Sequence, residues 1–282
     1  MAVRIDGKAL AAKVKARAAE GAKDLPRKPG LAVILVGDNQ ASRVYVTGKE
    51  KDCAECGFQS FEHKLPAETG QEELLALIDR LNRDEAVDGI LVQLPLPKGL
   101  DEDQVLNAIR PDKDVDCFHP FNVGRLVIGD PVFLPCTPAG VMEMLKEYDI
   151  PVAGKHCVVL GRSNIVGKPM GALLLQQSGT VTTCHSRTPD LASMTRQADI
   201  LVSAVGRVGL VTADMVKEGA VVIDVAMNRN EAGKFCGDVK FDEVSKKASY
   251  ITPVPGGVGP MTRVILMRNI LTAAQRHLGV KE

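Results

Sequence analysis

The stretch VVLGRSNIVGKPMGALLL (158–175) restricts the fold more than any other part of the chain. An apolar run ends at a glycine, and a segment of helical length follows at once. Strand, glycine turn and helix in that order are the setting in which a dinucleotide fingerprint has meaning. The spacing departs from G-x-G-x-x-G. Gly161 is in place, but Ser163 stands where the second glycine would be and Val166 where the third would be, with Gly167 one further on. Taken alone it is a weak signal, since tight strand–helix packing is the alternative reading of such a turn.

The strands around it sharpen the reading. TVTTCH (180–185) ends in CHSRT, which supplies His185, Ser186 and Arg187, while Arg162 stands in the glycine turn. A site selective for NAD places a carboxylate at the end of this strand. A hydroxyl and guanidinium groups suit a 2′-phosphate instead, so NADP is the expected cofactor. ADILVSAVG (198–206) brings Val205 and Gly206, where small residues permit close backbone approach, and AVVIDVA (220–226) leads to Met227.

The first half shows the same alternation. GLAVILVG (30–37) reads as a buried strand, followed by a helix from Gln40 to Cys56 that Gly57 stops. FQSFEHKL (58–65), QEELLALIDRLN (71–82), VDGILVQLPLP (87–97) and DEDQVLNAI (101–109) continue as strand, helix, strand, helix. Such an order implies a parallel sheet covered by helices. Residues 111–138, dense in Pro, Gly and Asp, read as a loop-rich domain junction. Thr137 and Pro138 then open a helix as N-cap and first residue. Near the end, ITPVPGGVGPMT precedes a long helix begun near Pro260.

Composition narrows the class. The 282 residues leave room for two α/β domains, and 35 basic against 35 acidic residues exclude a broadly basic nucleic-acid binder. No apolar run approaches the roughly 20 residues of a membrane span, and MAVRIDGKAL lacks the apolar core of a secretion signal, so a soluble cytoplasmic protein is expected. Seven cysteines, an odd number, favour free thiols over a disulfide framework. The lone C-x-x-C of Cys53 and Cys56 reads as small helix residues, and Asp112, Asp114 and Asp116 as caps and turns. No metal centre is expected.

SRVYVTGK (42–49) sets Tyr45 and Lys49 four apart, on one helix face, with Ser42 a turn earlier. Short-chain dehydrogenases carry a Tyr-x-x-x-Lys pair, but downstream of the glycine fingerprint; here the order is reversed. Gln93, in the apolar strand end VQLPLP, is an amide that needs partners. His119 is a weaker candidate, a loop histidine beside a proline.

Together, SRVYVTGK, GILVQLPLP, PDKDVD, PCTPAG, VVLGRSNIVGKPM, VTTCHSRT, ADILVSAVGR and ITPVPGGVGPMT occur in the order of one family. The chain resembles the bifunctional methylenetetrahydrofolate dehydrogenase/cyclohydrolases over nearly its whole length. The resemblance implies two α/β domains around a cleft, the second a Rossmann-like NADP-binding domain with a parallel sheet, usually in a homodimer. It places the folate-binding catalytic domain at 1–120 and the NADP domain at 121–282, with the C-terminal helix, about 261–282, packing back on the first. It implies Lys49 as the catalytic lysine with Gln93 as its neighbour, Tyr45 packing against the folate's aromatic system and Asp116 binding the pterin's amino edge. Folate contacts would come from these, Leu94, Pro255, Gly256 and Gly257. NADP would be held by Gly161, Arg162, Ser163, Val166, His185, Ser186, Arg187, Val205, Gly206 and Met227. The implied chemistry, in one-carbon metabolism, is NADP-linked oxidation of 5,10-methylenetetrahydrofolate followed by hydrolysis of the methenyl product.

Two departures bear on the site. Cys117 stands where the family usually has glycine, and Ala226 and Met227 replace a Gly-Ile pair. Gly48, unfavourable in a helix by about 1 kcal/mol, is expected to open a face to a flat ligand. The competing readings are an oxidoreductase of the shikimate dehydrogenase type and a non-catalytic NADP-binding regulator.

Overall fold

The computed structural model describes residues 1–280, less the side chains of Gln40, Ala41, Ser42, Val44 and Tyr45. The first elements are β1 (Val3–Arg4), α1 (Gly7–Gly21), β2 (Gly30–Val36), α2 (Gln40–Glu55), β3 (Gln59–Leu65) and α3 (Gln71–Arg83). There follow β4 (Gly89–Val92), α4 (Glu102–Ala108), α5 (Pro120–Ile128), α6 (Cys136–Glu147), β5 (His156–Leu160), α7 (Gly167–Gln176), β6 (Thr180–Cys184) and α8 (Leu191–Thr195). The last are β7 (Ile200–Ser203), β8 (Val221–Asp224), β9 (Asn228–Arg229), β10 (Phe235–Cys236), α9 (Phe241–Val244), β11 (Tyr250–Ile251) and α10 (Val258–His277). The chain divides into two compact units: Met1–Ala12 with Pro135–Thr262, and Lys13–Leu134 with the chain from Arg263 onward.

In the unit built on Lys13–Leu134, three parallel strands lie in the order β3-β2-β4. All seven residues of β2 are buried, as a central strand covered on both faces requires. α3 buries Leu74, Leu77, Ile78 and Leu81 at helical spacing against Ile34, Ile90 and Val92. Gly57, at φ +74°, ends α2, and the Phe58 amide returns to the Cys53 carbonyl at 2.9 Å. β4 is shorter than the apolar run predicts. Its register ends at Val92; Gln93 still donates its amide to Ile34 O at 2.9 Å, and the chain then turns away at the cis Leu94–Pro95 bond.

In the unit built on Pro135–Thr262, six parallel strands lie in the order β1-β11-β8-β7-β5-β6. Val158, Leu160, Leu201, Val211, Val222 and Ile251 form its core. β1 pairs with β11, so the first residues of the chain extend this sheet. β9 and β10 form a separate antiparallel hairpin.

The stretch 111–138 is less irregular than its composition implies, for it contains α5. His119 Nδ1 accepts from the Phe121 amide at 3.1 Å, Pro120 occupies the first turn, and Gly129 at φ +86° closes the helix. The helix signals were present but embedded among Asp and Pro residues. α6 begins at Cys136, and the Thr137 hydroxyl meets the Thr262 hydroxyl at 2.9 Å instead of capping the helix. The division between units falls after Leu134. Asn269 of α10 donates to the carbonyls of both Val115 and Leu134, and Leu126 of α5 is fully buried.

At the start of β4, fully buried Asp88 accepts two hydrogen bonds from Arg27 (2.6 and 2.7 Å) and one from the Gly30 amide (2.8 Å), and meets His277 Nδ1 at 3.0 Å. Burial pushes its carboxyl up, but the Arg27, His277 and Gly30 hydrogen bonds outweigh burial and hold it below the ordinary value. A depressed carboxylate contributes stability that is complete above the ordinary carboxylate range and is lost as pH falls through the lowered value. Asp88→Asn is therefore expected to cost about 3 kcal/mol near neutral pH, with a smaller deficit in strong acid. Urea unfolding at pH 7 and pH 3 measures this, and an equal deficit at both would contradict it.

Candidate active site

In an open parallel sheet the loops diverge at the point where the strand order reverses, and ligands bind outside the carboxyl ends of the strands there. In the three-stranded sheet that point lies between β2 and β4, and Gln93 emerges from it. Lys49, on α2, is 9% exposed, and its Nζ donates to Gln93 Oε1 at 3.1 Å. Gln93 Nε2 donates to Leu94 O at 2.8 Å, which leaves Oε1 as the atom facing the amine. The fold thus brings together Lys49, Gln93 and Leu94. Tyr45 lies on α2, but its side chain is outside the described residues.

Gly48 has a different role from the expected one. A Cβ there would overlap Nη1 of Arg263, so the space belongs to a guanidinium. Arg263 Nε in turn lies 3.2 Å from Asp52, which Lys15 Nζ meets at 3.1 Å. Asp52 is nearly fully buried, so α2 is held on either side of its carboxylate by a cation.

The acidic loop is mainly structural. Asp112 pairs with Arg110, and Lys113 Nζ donates to the carbonyls of Leu81 and Asp84 at the end of α3. Asp114 accepts from Asn122 Nδ2 and from the amides of Phe118 and His119. Its burial pushes the carboxyl up. Asp116 is half-buried. Among the described residues no three His, Cys, Asp or Glu side chains converge as a metal site. Cys53 and Cys56 are buried, and burial pushes their thiols up to about 12 and about 11, the reverse of a reactive thiolate.

In the six-stranded sheet the reversal lies between β5 and β7. Gly161, at φ +112°, follows β5, and a Cβ there would overlap the carbonyl oxygen of Ala204 after β7. A Cβ on Gly167 would overlap the Gly161 carbonyl, so the helix start is pressed against the turn. Ser163 Oγ accepts from the amides of Val166 and Gly167 at 3.2 and 3.3 Å. A hydroxyl cap and one displaced glycine therefore do the work of two fingerprint glycines. Arg162, Ser186 and Arg187 are exposed, and His185 Nδ1 accepts from the Arg187 amide at 3.2 Å. Exposed Ile165, Val205 and Met227 add apolar surface from the loops after β5, β7 and β8. These residues fit a dinucleotide: close backbone, cations and hydroxyl for phosphate, apolar faces for rings.

Pro255, Gly256 and Gly257 belong to this second unit, after the cis Val254–Pro255 bond. Gly256 has φ +103°, and a Cβ on Gly7 would overlap the Gly257 carbonyl, so tight packing on α1 explains part of the glycine content.

A parallel sheet with a glycine turn at its switch point, and cations at the end of the adjoining strand, defines a dinucleotide-binding α/β protein. The comparisons agree. Residues 5–116 match the catalytic domain of tetrahydrofolate dehydrogenase/cyclohydrolase, and residues 135–278 match its NAD(P)-binding domain. The bifunctional protein FolD of Pelobacter propionicus is 58% identical over 99% of each chain. The structure of bifunctional FolD from Campylobacter jejuni is 53% identical, with a TM-score of 0.96 over 98% of this chain and 99% of that one. That of Trypanosoma brucei FolD, complexed with NADP and inhibitor, is 44% identical, with a TM-score of 0.94 over 98% of each. The chain belongs to the tetrahydrofolate dehydrogenase/cyclohydrolase family. No helix among the described residues is long and apolar enough to cross a membrane.

Sequence reasoning missed Asp224 and Asp238, both buried behind the loops after β7 and β8. Burial first, and Asp238 nearby, push Asp224 up to about 6 against its backbone hydrogen bonds. The available signal was a Gly-Asp pair, GDV, in an apolar setting: a Cβ on Gly237 would overlap the Asp224 carboxylate.

Cys117 adopts the left-handed conformation directly, at φ +61°, with Sγ donating to Phe133 O at 3.3 Å. A Cβ-bearing residue costs about 1–2 kcal/mol in that region. Cys117→Gly removes this cost whereas Cys117→Ala keeps it, and both lose the buried thiol. The glycine variant is expected to be at least as stable as the alanine variant in urea unfolding. An alanine variant more stable by about 1 kcal/mol, the ordinary order in regular structure, would contradict it.

Proposed function

We propose that this chain oxidises 5,10-methylenetetrahydrofolate with NADP and hydrolyses the methenyl product to 10-formyltetrahydrofolate. The observation that carries the reading is the Lys49–Gln93 contact at 3.1 Å, within the region that matches the family's catalytic domain. Membership of the family displaces the shikimate-dehydrogenase-type and regulator readings.

NADP, when bound, supplies the hydride acceptor. The folate nitrogens drive hydride loss from the bridging carbon, so the protein's share in this step is alignment. Hydrolysis is different, because water must lose protons as it attacks and as the ring opens. We assign that proton transfer to Lys49, oriented by Gln93, whose neutral amide fixes the amine without adding a carboxylate's charge. Tyr45 is assigned as an aromatic platform for the pterin and Asp116 as acceptor for its amino edge. Arg187, Ser186 and Arg162 are assigned to the 2′-phosphate end, and Gly161, Ser163, Val166, His185, Val205, Gly206 and Met227 to the rest of the dinucleotide. A cytoplasmic homodimer completes this reading, and sedimentation of the purified chain tests the assembly.

Following NADPH appearance from methylenetetrahydrofolate, then decay of the methenyl chromophore, tests both activities in one cuvette. Lys49→Met is expected to lower hydrolysis at least about a hundredfold while folate still binds; unchanged hydrolysis would remove the assignment. Arg187→Ala should reduce the preference for NADP over NAD by about tenfold. Equal losses with both cofactors would place Arg187 away from the 2′-phosphate.

A further inference from the structure

Asp238 follows the β9–β10 hairpin and is fully buried. Its Oδ2 accepts from Ser203 Oγ at 2.9 Å, Val205 N at 2.8 Å and Gly206 N at 3.3 Å. Its Oδ1 accepts from Arg207 N at 2.6 Å and Asn228 Nδ2 at 3.1 Å. Three successive peptide N–H groups thus converge on one carboxylate, the arrangement by which loops bind anions. Here the anion is the protein's own. The same residue donates its amide to Asp224 Oδ1 at 3.1 Å, which ties the arrangement to the end of β8.

From this geometry we infer that Asp238 is a positioning residue for the dinucleotide. It presets the Val205–Arg207 loop after β7 and, through Asn228, the loop that carries Met227. The inference rests on the proposed cofactor site and goes beyond it in two respects. The amides of Val205, Gly206 and Arg207 are already engaged, so they are not available to phosphate, and the negative carboxylate beneath them opposes a second anion. The phosphates are thereby directed to the Gly161–Ser163 turn and the Ser186–Arg187 end. An uncharged or cationic ring is left to face exposed Val205 and Met227. Without Asp238, the same loop would present three free amides, an anion site in the wrong place.

The test uses the full-length Asp238→Asn variant. Its amide group replaces one acceptor by a donor while keeping the shape, so at least one of the five donors loses its partner. Calorimetric titration with NADP should show affinity lowered about tenfold or more. Hydrogen exchange at Val205, Gly206 and Arg207 should accelerate. Hydrolysis of methenyltetrahydrofolate without NADP should stay within about twofold of wild type, since general packing damage would lower it as well. Asn228→Ala removes a single donor and should give a smaller loss of NADP affinity in a chain that folds even if Asp238→Asn does not. Wild-type NADP affinity in a folded Asp238→Asn, or in Asn228→Ala if only that variant folds, would overturn the inference. So would parallel losses of NADP affinity and hydrolysis. If the wild-type chain itself fails to bind NADP, the cofactor reading beneath the inference is overturned instead.

Discussion

Close contact of backbone with backbone at Gly161 is the constraint on which the dinucleotide end depends. The turn after β5 lies so near the Ala204 carbonyl, and α7 so near the turn, that neither Gly161 nor Gly167 has room for a side chain. Once two strands and a helix are brought this close, their peptide groups crowd together at the switch point. The protein then has to govern where those peptide dipoles point. Ser163 takes up two of them, and Asp238 takes up three more.

The three-stranded unit solves a different problem. Its switch point presents an amine and an amide, and both are held by what lies behind them. Gln93 is oriented by the carbonyl of the next residue, and α2 is anchored where the Asp52 carboxylate meets Lys15 and Arg263. A buried carboxylate costs solvation, and here a cation on either side compensates its charge. Lys49 lies three residues before Asp52 on the same helix.

Most of the architecture was legible because apolar runs ended at glycines and prolines, which punctuate both halves. The α2 limit at Gly57, the α3 face and the strand–turn–helix at 158–175 followed from period and punctuation. What was not legible depended on distant partners. β1 is two residues long and exists as a strand because Tyr250 and Ile251 complete it. Gly48 looked like room for a ligand because nothing nearby in the chain announces Arg263. The Asp238 carboxylate gathers donors from the end of β7, the loop after it and the start of β9, which only the folded chain brings together. Of the proposed site, Lys49, Gln93 and the glycine turn stand in motifs readable from the sequence, since each lies where a strand gives way to a loop or on the helix that follows one.

The seven thiols have a consequence for how this protein ages. Six are buried, Cys236 is half-buried, and burial pushes Cys53 and Cys56 toward the neutral, unreactive form. Oxidants attack thiolates, so the folded chain offers them little to react with. Its cysteines become vulnerable chiefly when the fold opens, and oxidative damage in a population of this protein would then record how often each molecule had come apart.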